Sequence, residues 1–303
     1  MDDDNDQQQR TGRARGPVRS GRGHDRGAER GRERNRGQGG PRRFPNKTQQ
    51  RTAQAPENAD DMTRLLYGIH AIEAALNNPA RTISHLLLTE NAERRLAPAL
   101  GDRNIPITRV TPRDLDRRLG ADTVHQGALA EVEPLPELRL ADLAEADDTA
   151  GPLLVLDQVT DPHNVGAILR SAAVFGARAV ITTRRHSPPP SAALAKSASG
   201  ALEAIPFALV QNLGDSLEEL AAQGYRIIGL DGEAEALLDE TDLTGLVALV
   251  LGAEGKGLRE RTREVCHRVC RIAAPGPIAS LNVSNAAAVA LHLAAMQRRK
   301  KTV

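Results

Sequence analysis

Residues 153–181 read LLVLDQVTDPHNVGAILRSAAVFGARAVI, and the order of apolar and polar positions in this stretch decides the fold class. The unbroken apolar run 153–156 predicts a strand buried on both faces, as strands of parallel sheets are. A polar turn follows. Val165, Ile168 and Leu169 then recur at helical spacing, with Asn164 expected as the N-cap. The β-branched stretch 179–182 predicts the next strand, so that strand, helix and strand form one βαβ unit. The turn and helix carry Asn164, Gly166 and Arg170 at fixed offsets. Arg170 falls nearly two turns in, where a buried helix carries Leu or Ala. A cation there requires a partner or a ligand unless that face is open to solvent.

The same alternation continues downstream. Strands are expected at 153–156, 179–182, 205–210, 226–229, 247–251 and 269–272, with helices between them and a last helix over 282–298. This pattern predicts an α/β fold with a parallel sheet covered on both faces, whose ligands bind at the carboxyl ends of the strands. Upstream, residues 63–135 alternate shorter helical and strand-like stretches, enough for a small α/β domain. Residues 136–151 are rich in Pro, Asp and Glu and read as a linker with one helical turn at most. The division is therefore a tail (1–62), a small domain (63–135), the linker (136–151) and a larger domain (152–303).

Composition places the tail apart. The chain carries 40 Lys and Arg against 39 Asp and Glu, a net charge of +1, yet the arginine runs crowd into the first 60 residues and leave the remainder mildly acidic. An Arg/Gly/Gln-rich stretch with few apolar residues cannot offset its ordering entropy by burial and is expected to be disordered. It lacks the apolar core of a secretory signal, and Asp2, Asp3, Asp4 and Asp6 argue against a transit peptide. No window is apolar enough to span a membrane. Two cysteines in 303 residues point to a reducing compartment, so the expected location is the cytoplasm.

Two later segments share the logic of the first, each beginning where an expected strand stops: LVLGAEGKGL at 249–258 and IAAPGPIASLNVSNAA at 272–287. The small residues Gly252, Ala253, Gly255 and Gly257 allow backbone to approach a ligand closely, although such a run is also an ordinary glycine-rich turn. A phosphate-binding P-loop is excluded by spacing and by the missing Ser/Thr after Lys256. Asn282 and Ser280 could simply cap the last helix. Cys266, His267 and Cys270 have no second Cys/His pair at zinc spacing and read as core packing around a buried strand, so no metal is expected.

Taken together, the three segments resemble the three motifs of the SpoU/TrmH family of RNA ribose 2′-O-methyltransferases, within the knotted SPOUT class. The string Ser280-Leu281-Asn282-Val283-Ser284 is the most diagnostic. Upstream, LYGIHAIEAA at 66–75 and His125-Gln126-Gly127 resemble the substrate-binding domain of the 23S ribosomal RNA guanosine methyltransferase subgroup, and the likeness covers roughly residues 64–298. It implies a trefoil knot made by threading residues 275–282 through an earlier loop, preceded by an L30e-like RNA-binding module. It implies S-adenosylmethionine as cofactor, with Gly252, Ile272 and Leu281 at the adenosine through main-chain and apolar contacts. Arg170, Asn164, Glu254, Ser280 and Asn282 match the family's active-site positions. One departure is Ala273, where the family usually has proline; this chain carries Pro275 and Pro277 instead.

Arginine is effectively never deprotonated in proteins, so the expected role of Arg170 is to lower the pKa of the ribose hydroxyl and stabilise developing alkoxide. Glu254 is expected to orient Asn164 or Arg170. The implied substrate is a 23S ribosomal RNA guanosine, with a tRNA guanosine or a non-catalytic role in ribosome assembly as alternatives. Aromatic residues are 2% of the chain, which disfavours recognition by stacking on Phe or Tyr. The Arg-rich tail either holds RNA through phosphates or is simply solvated. The stretch NVSNAAAVALHLAAM at 282–296 is apolar on nearly every face, which predicts burial on more than one side and a homodimer.

Overall fold

The computed structural model describes residues 64–144, 150–276 and 281–302. The tail, the middle of the linker and Ser280 lie outside the described residues. So do Pro277 and half of the segment expected to thread a knot, residues 277–280.

Residues 65–132 build the first sheet from β1 (Leu65–Tyr67), β2 (Ile83–Leu88), β3 (Ile107–Arg109) and β4 (Ala128–Val132), in the order β1-β4-β2-β3. β4 is antiparallel to both neighbours, while β2 and β3 run parallel. Helices α1 (Ile69–Asn77), α2 (Glu90–Leu100) and α3 (Pro112–Leu119) connect the strands. Local chemistry fixes their starts: Thr89 caps α2, and a reciprocal Thr111–Asp114 capping box with Pro112 just inside opens α3.

The His125-Gln126-Gly127 turn closes this sheet. His125 Nδ1 accepts from the Gly127 N–H at 3.0 Å, which leaves Nε2 to donate to Asp116 Oδ1 at 3.1 Å. Gln126 Oε1 accepts from the Ile69 N–H at 2.9 Å, satisfying a donor at the start of α1 that Gly68 has no side chain to satisfy. The motif is thus a remote helix cap.

The second sheet has the order β7-β6-β5-β10-β8-β11-β9, with every pairing parallel. Its strands are β5 (Leu153–Asp157), β6 (Ala179–Thr183), β7 (Phe207–Val210), β8 (Arg226–Leu230), β9 (Ala236–Leu237), β10 (Val247–Gly252) and β11 (Arg268–Arg271). β5 is buried along its whole length and β10 up to its final glycine, as the apolar runs require. The chain leaves β5 toward β6 on one side and returns as β10 on the other. The β5/β10 boundary is therefore the topological switch point, where open α/β sheets bind ligands.

Helices α4 (Pro162–Phe175), α5 (Ala192–Ser197), α6 (Ala201–Ala204), α7 (Leu213–Ala222), α8 (Glu260–Val265) and α9 (Val283–Thr302) cover the sheet. One face packs Tyr225, Leu217, Leu220 and Leu143 against β5, β8 and β10. The other packs α4 and α9, and this cluster runs without a break into the core beneath α1 and α2 of the first sheet.

A buried ion pair joins the two sheets' connections. Arg81 donates twice from Nε to Glu203 at 3.1 Å and once from Nη2 at 2.7 Å, with both side chains 5% exposed. Asn78 Nδ2 adds a bond to the same carboxylate at 2.8 Å, and Arg81 Nη1 donates to the Glu133 carbonyl.

Two expectations change. The N-cap of α4 is Asp161, whose carboxylate accepts from the His163 N–H at 2.9 Å, while Pro162 opens the helix. Proline's fixed φ and missing N–H suit that first position, so Asn164 sits inside the first turn. β7 begins only at Phe207, because Ile205 ends α6 and Pro206 follows it. Leu291 belongs to this chain's own core and is fully buried; the exposed large apolar residues of α9 are Val289 and Met296.

Candidate active site

Three strand ends bring the site together. β5 and β10 are neighbours in register, Asp157 standing opposite Gly252, so the turns leaving them emerge side by side. The fully buried Asp157 carboxylate ties those turns together by accepting from the Arg259 backbone N–H at 3.0 Å and from its Nε at 2.6 Å. A charge withdrawn from water in this way persists only when paired and hydrogen-bonded, and here it holds the end of the 253–258 loop against β5.

That loop folds back on itself. Ala253 and Gly257 form an isolated antiparallel bridge, with the Gly257 N–H donating to the Ala253 carbonyl at 2.9 Å. A Cβ at Gly252 would lie 2.2 Å from the carbonyl carbon and oxygen of Gly257. The absence of a side chain at Gly252 is thus demanded first by the loop's own return. Gly166 has a similar cause, since a Cβ there would meet the Ser197 Cβ of α5 at 2.4 Å. This glycine lets α4 and α5 pack closely.

Asn164, Glu254 and Asn282 converge from three separate segments. Glu254 Oε1 accepts from Asn282 Nδ2 at 2.5 Å, from the Val283 N–H at 3.2 Å and from Asn164 Nδ2 at 3.4 Å. Asn282 Nδ2 also donates to Asn164 Oδ1 at 3.0 Å. The other face of Asn282 caps α9: its Oδ1 accepts from the Ser284 N–H at 2.9 Å and the Ser284 hydroxyl at 2.5 Å. One amide therefore serves both the cap and the cluster. The carboxylate, fed by three donors, is an orienting group with little freedom of its own.

Beside the cluster lies an open cavity of about 520 Å³, lined by Gln158, Val159, Thr160, Asp161, Asn164, His186, Ala253, Glu254, Lys256 and Val283. That size suits one small ligand or nucleoside. Gln158, His186 and Lys256 are functional candidates that the sequence motifs do not single out. Gln158 and His186 share no motif spacing with the others and reach the cavity only because β5 and β6 are adjacent.

Arg170 is not part of the cluster. It is exposed, lines no part of this cavity and makes no hydrogen bond or ion pair among the described residues. Six residues of α-helix turn roughly 600°, so Arg170 and Asn164 project from different sides of α4. Ile272 is half-buried just beyond β11, and Leu281 is 46% exposed. His163 lies 3.3 Å through Nδ1 from the Ser197 hydroxyl.

The cysteines occupy packing positions. Cys270 is fully buried. Cys266 Sγ donates to the Thr262 carbonyl, and burial pushes its thiol up to about 11. Among the described residues no group of three or more His, Cys, Asp or Glu side chains is placed to hold a metal ion, and no helix is long and apolar enough to cross a membrane.

Comparison with known proteins adds to this geometry. Residues 151–292 match the model of the SpoU rRNA Methylase family, and residues 65–138 match that described as RNA 2′-O ribose methyltransferase substrate binding. The 23S rRNA (guanosine-2′-O-)-methyltransferase RlmB of Pseudomonas putida is 40% identical over 243 residues, covering 78% of this chain and 97% of the relative. The protein of the same name from Pasteurella multocida is 43% identical over 244 residues, covering 78% and 99%. Among solved structures, the SpoU methyltransferase AviRb from Streptomyces viridochromogenes, in complex with AdoMet, aligns with a TM-score of 0.69 at 24% identity. It covers 80% of this chain and 94% of its own, a likeness that speaks for the fold.

Proposed function

The chain belongs to the SpoU rRNA methylase family, and on that premise we propose that it methylates a ribose 2′-hydroxyl of 23S ribosomal RNA, at a guanosine, with S-adenosylmethionine as donor. The observation that carries this reading is the convergence of Asn164, Glu254 and Asn282 at the switch point of the parallel sheet. Three residues up to 118 positions apart meet where such folds bind ligands. The cofactor supplies an electrophilic methyl group on a sulfonium.

The residues present fit such a ligand. Leu281 and Ile272 offer apolar surface to an adenine near the exits of the strands. The closed 253–257 loop presents main chain, and Glu254 supplies negative charge toward a sulfonium. Gly252, Ile272 and Leu281 are accordingly assigned to adenosine. Asn164, Glu254 and Asn282 hold the ribose end, with Ser280 completing that set.

An arginine side chain does not serve as a base in proteins; Arg170 is therefore given no proton to accept. Its assigned role is to lower the pKa of the attacking hydroxyl and stabilise the alkoxide, while the proton leaves to phosphate or water. Within one chain it stands apart from the cluster. The reading therefore includes a homodimer in which Arg170 reaches substrate near the subunit interface. Val174, one turn beyond Arg170 on α4, is 76% exposed, and Val289 and Met296 of the adjoining α9 are 37% and 41% exposed. Apolar side chains left open on two packed helices are what a second subunit would cover. The small domain at 63–135 serves as the RNA-binding module, and the cytoplasm is the expected location.

Titrating the protein with S-adenosylmethionine by calorimetry tests this reading. Saturable one-to-one binding that weakens in Leu281→Asp supports an enzyme with its adenosine pocket at the strand exits. No binding at millimolar cofactor would leave only an RNA-binding factor on the same fold.

A further inference from the structure

Two non-glycine residues in the walls of the active-site cavity are held in the left-handed region: Gln158 at φ 60 and His186 at φ 66. Side chains there carry a conformational cost that glycine does not, and such outliers gather where a ligand is handled. Gln158 follows directly on the buried Asp157 at the end of β5, and His186 lies in the loop leaving β6. The Gln158 amide, the His186 imidazole and the Lys256 ammonium make no hydrogen bond or ion pair among the described residues. By contrast, the carboxylates of Asp161 and Glu254 in the same walls are engaged. Three unengaged polar groups therefore share one nucleoside-sized space with Asn164 and Glu254 of the cluster.

We infer that this cavity receives the base of the target nucleotide and that the Gln158 amide binds the edge of that base. The inference rests on the RNA methyltransferase reading and deepens it. No Phe, Tyr or Trp lines the cavity, so hydrogen bonds at the edge carry much of the hold on the base. A side-chain amide presents one donor and one acceptor side by side. The Watson–Crick edge of guanine presents an acceptor, O6, beside a donor, N1–H, and these pair with the amide in two parallel bonds. Lys256, exposed on the glycine-rich loop, meets the phosphate as a point charge. His186 offers its ring to the face of the base. A carboxylate-lined wall disfavours seating the phosphate deeper, so the neutral base enters first.

The conformation of Gln158 supplies a clean test. Gln158→Gly removes the amide and relieves the positive φ in one step, so the variant keeps its fold. Methyl transfer is measured on rRNA fragments carrying guanosine or 2-aminopurine riboside, which lacks O6 and the N1 proton, at the target position. The expected result is that the guanosine preference in kcat/KM falls in Gln158→Gly by about 5- to 150-fold, the worth of one bidentate base contact, while cofactor affinity is unchanged. A merely structural role for Gln158 would not move that ratio. An unaltered preference, with wild-type protein active on the same RNA, overturns the inference and leaves the methyltransferase reading standing. A wild-type protein that methylates no RNA removes both.

Discussion

Glu254 shows how one side chain can organise a site. Its Oε1 accepts from Asn164, Asn282 and the Val283 N–H, so replacing it with alanine strands several donors at once. Glu254→Ala should lower methyl transfer by about a hundredfold or more, the scale of losing one preorganised orienting group, whereas Arg170→Ala should abolish transfer with cofactor affinity within a few-fold. Rapid-quench assays paired with cofactor titration check both; near-normal turnover in Arg170→Ala would end its assignment. Gly252 behaves differently from what its motif suggests. Because its Cβ would strike the Gly257 backbone, Gly252→Ala should cost about 1–3 kcal/mol of stability through overpacking, seen in urea denaturation even without cofactor. Cys266, its thiol pushed up to about 11 by burial, should resist alkylation at pH 8 in the folded protein and react only as pH climbs toward that value. Asn164, Glu254 and Asn282 could be reached from the sequence because they match the active-site positions of the SpoU/TrmH family, each in a segment that begins where an expected strand stops. The sequence could not place Gln158 or His186, whose relevance comes from adjacent strands and positive φ, neither of which leaves a mark in composition.

At the scale of elements, the strands were the most legible part of the chain. The strands expected at 153–156, 179–182 and 247–251 match β5, β6 and β10 to within a residue at each end, since full burial leaves little ambiguity. The two shortest pairings were not legible: β1 and β9 span three and two residues, too few for any period. The start of α4 was misread because Asp161-Pro162 outcompetes Asn164 as the opening signal. The union between the two sheets was also hidden, because Arg81 and Glu203 stand 122 residues apart. That pair yields a prediction. Glu203→Ala leaves a buried guanidinium without its partner and should cost about 3–5 kcal/mol, while Arg81→Met with Glu203→Leu should recover much of it. Chemical denaturation of the single and double variants decides; equal losses would show that the pair's charge is immaterial. For α9, charge at fully buried Leu291 should unfold the chain. Val289→Glu with Met296→Glu should instead leave the fold intact and, on the dimer reading, split it in sedimentation.

For the whole molecule, charge is divided along the chain. The arginine runs of the first 60 residues lie outside the described residues, and their expected task is to hold RNA by phosphate contacts. Removing them should leave cofactor binding intact and flatten the salt dependence of RNA affinity; an unchanged salt slope would make the tail a bystander. The remainder brings together an RNA-binding module, a parallel sheet with its site at the switch point and a pair of helices with open apolar positions. These parts form one account only if the chain transfers a methyl group to ribose. The most direct measurement is incorporation of labelled methyl from S-adenosylmethionine into unmodified 23S ribosomal RNA, followed by digestion to nucleosides. The account predicts a single labelled product, 2′-O-methylguanosine, absent when Arg170 is alanine. Label on a base atom, or no label in any RNA offered, would contradict it.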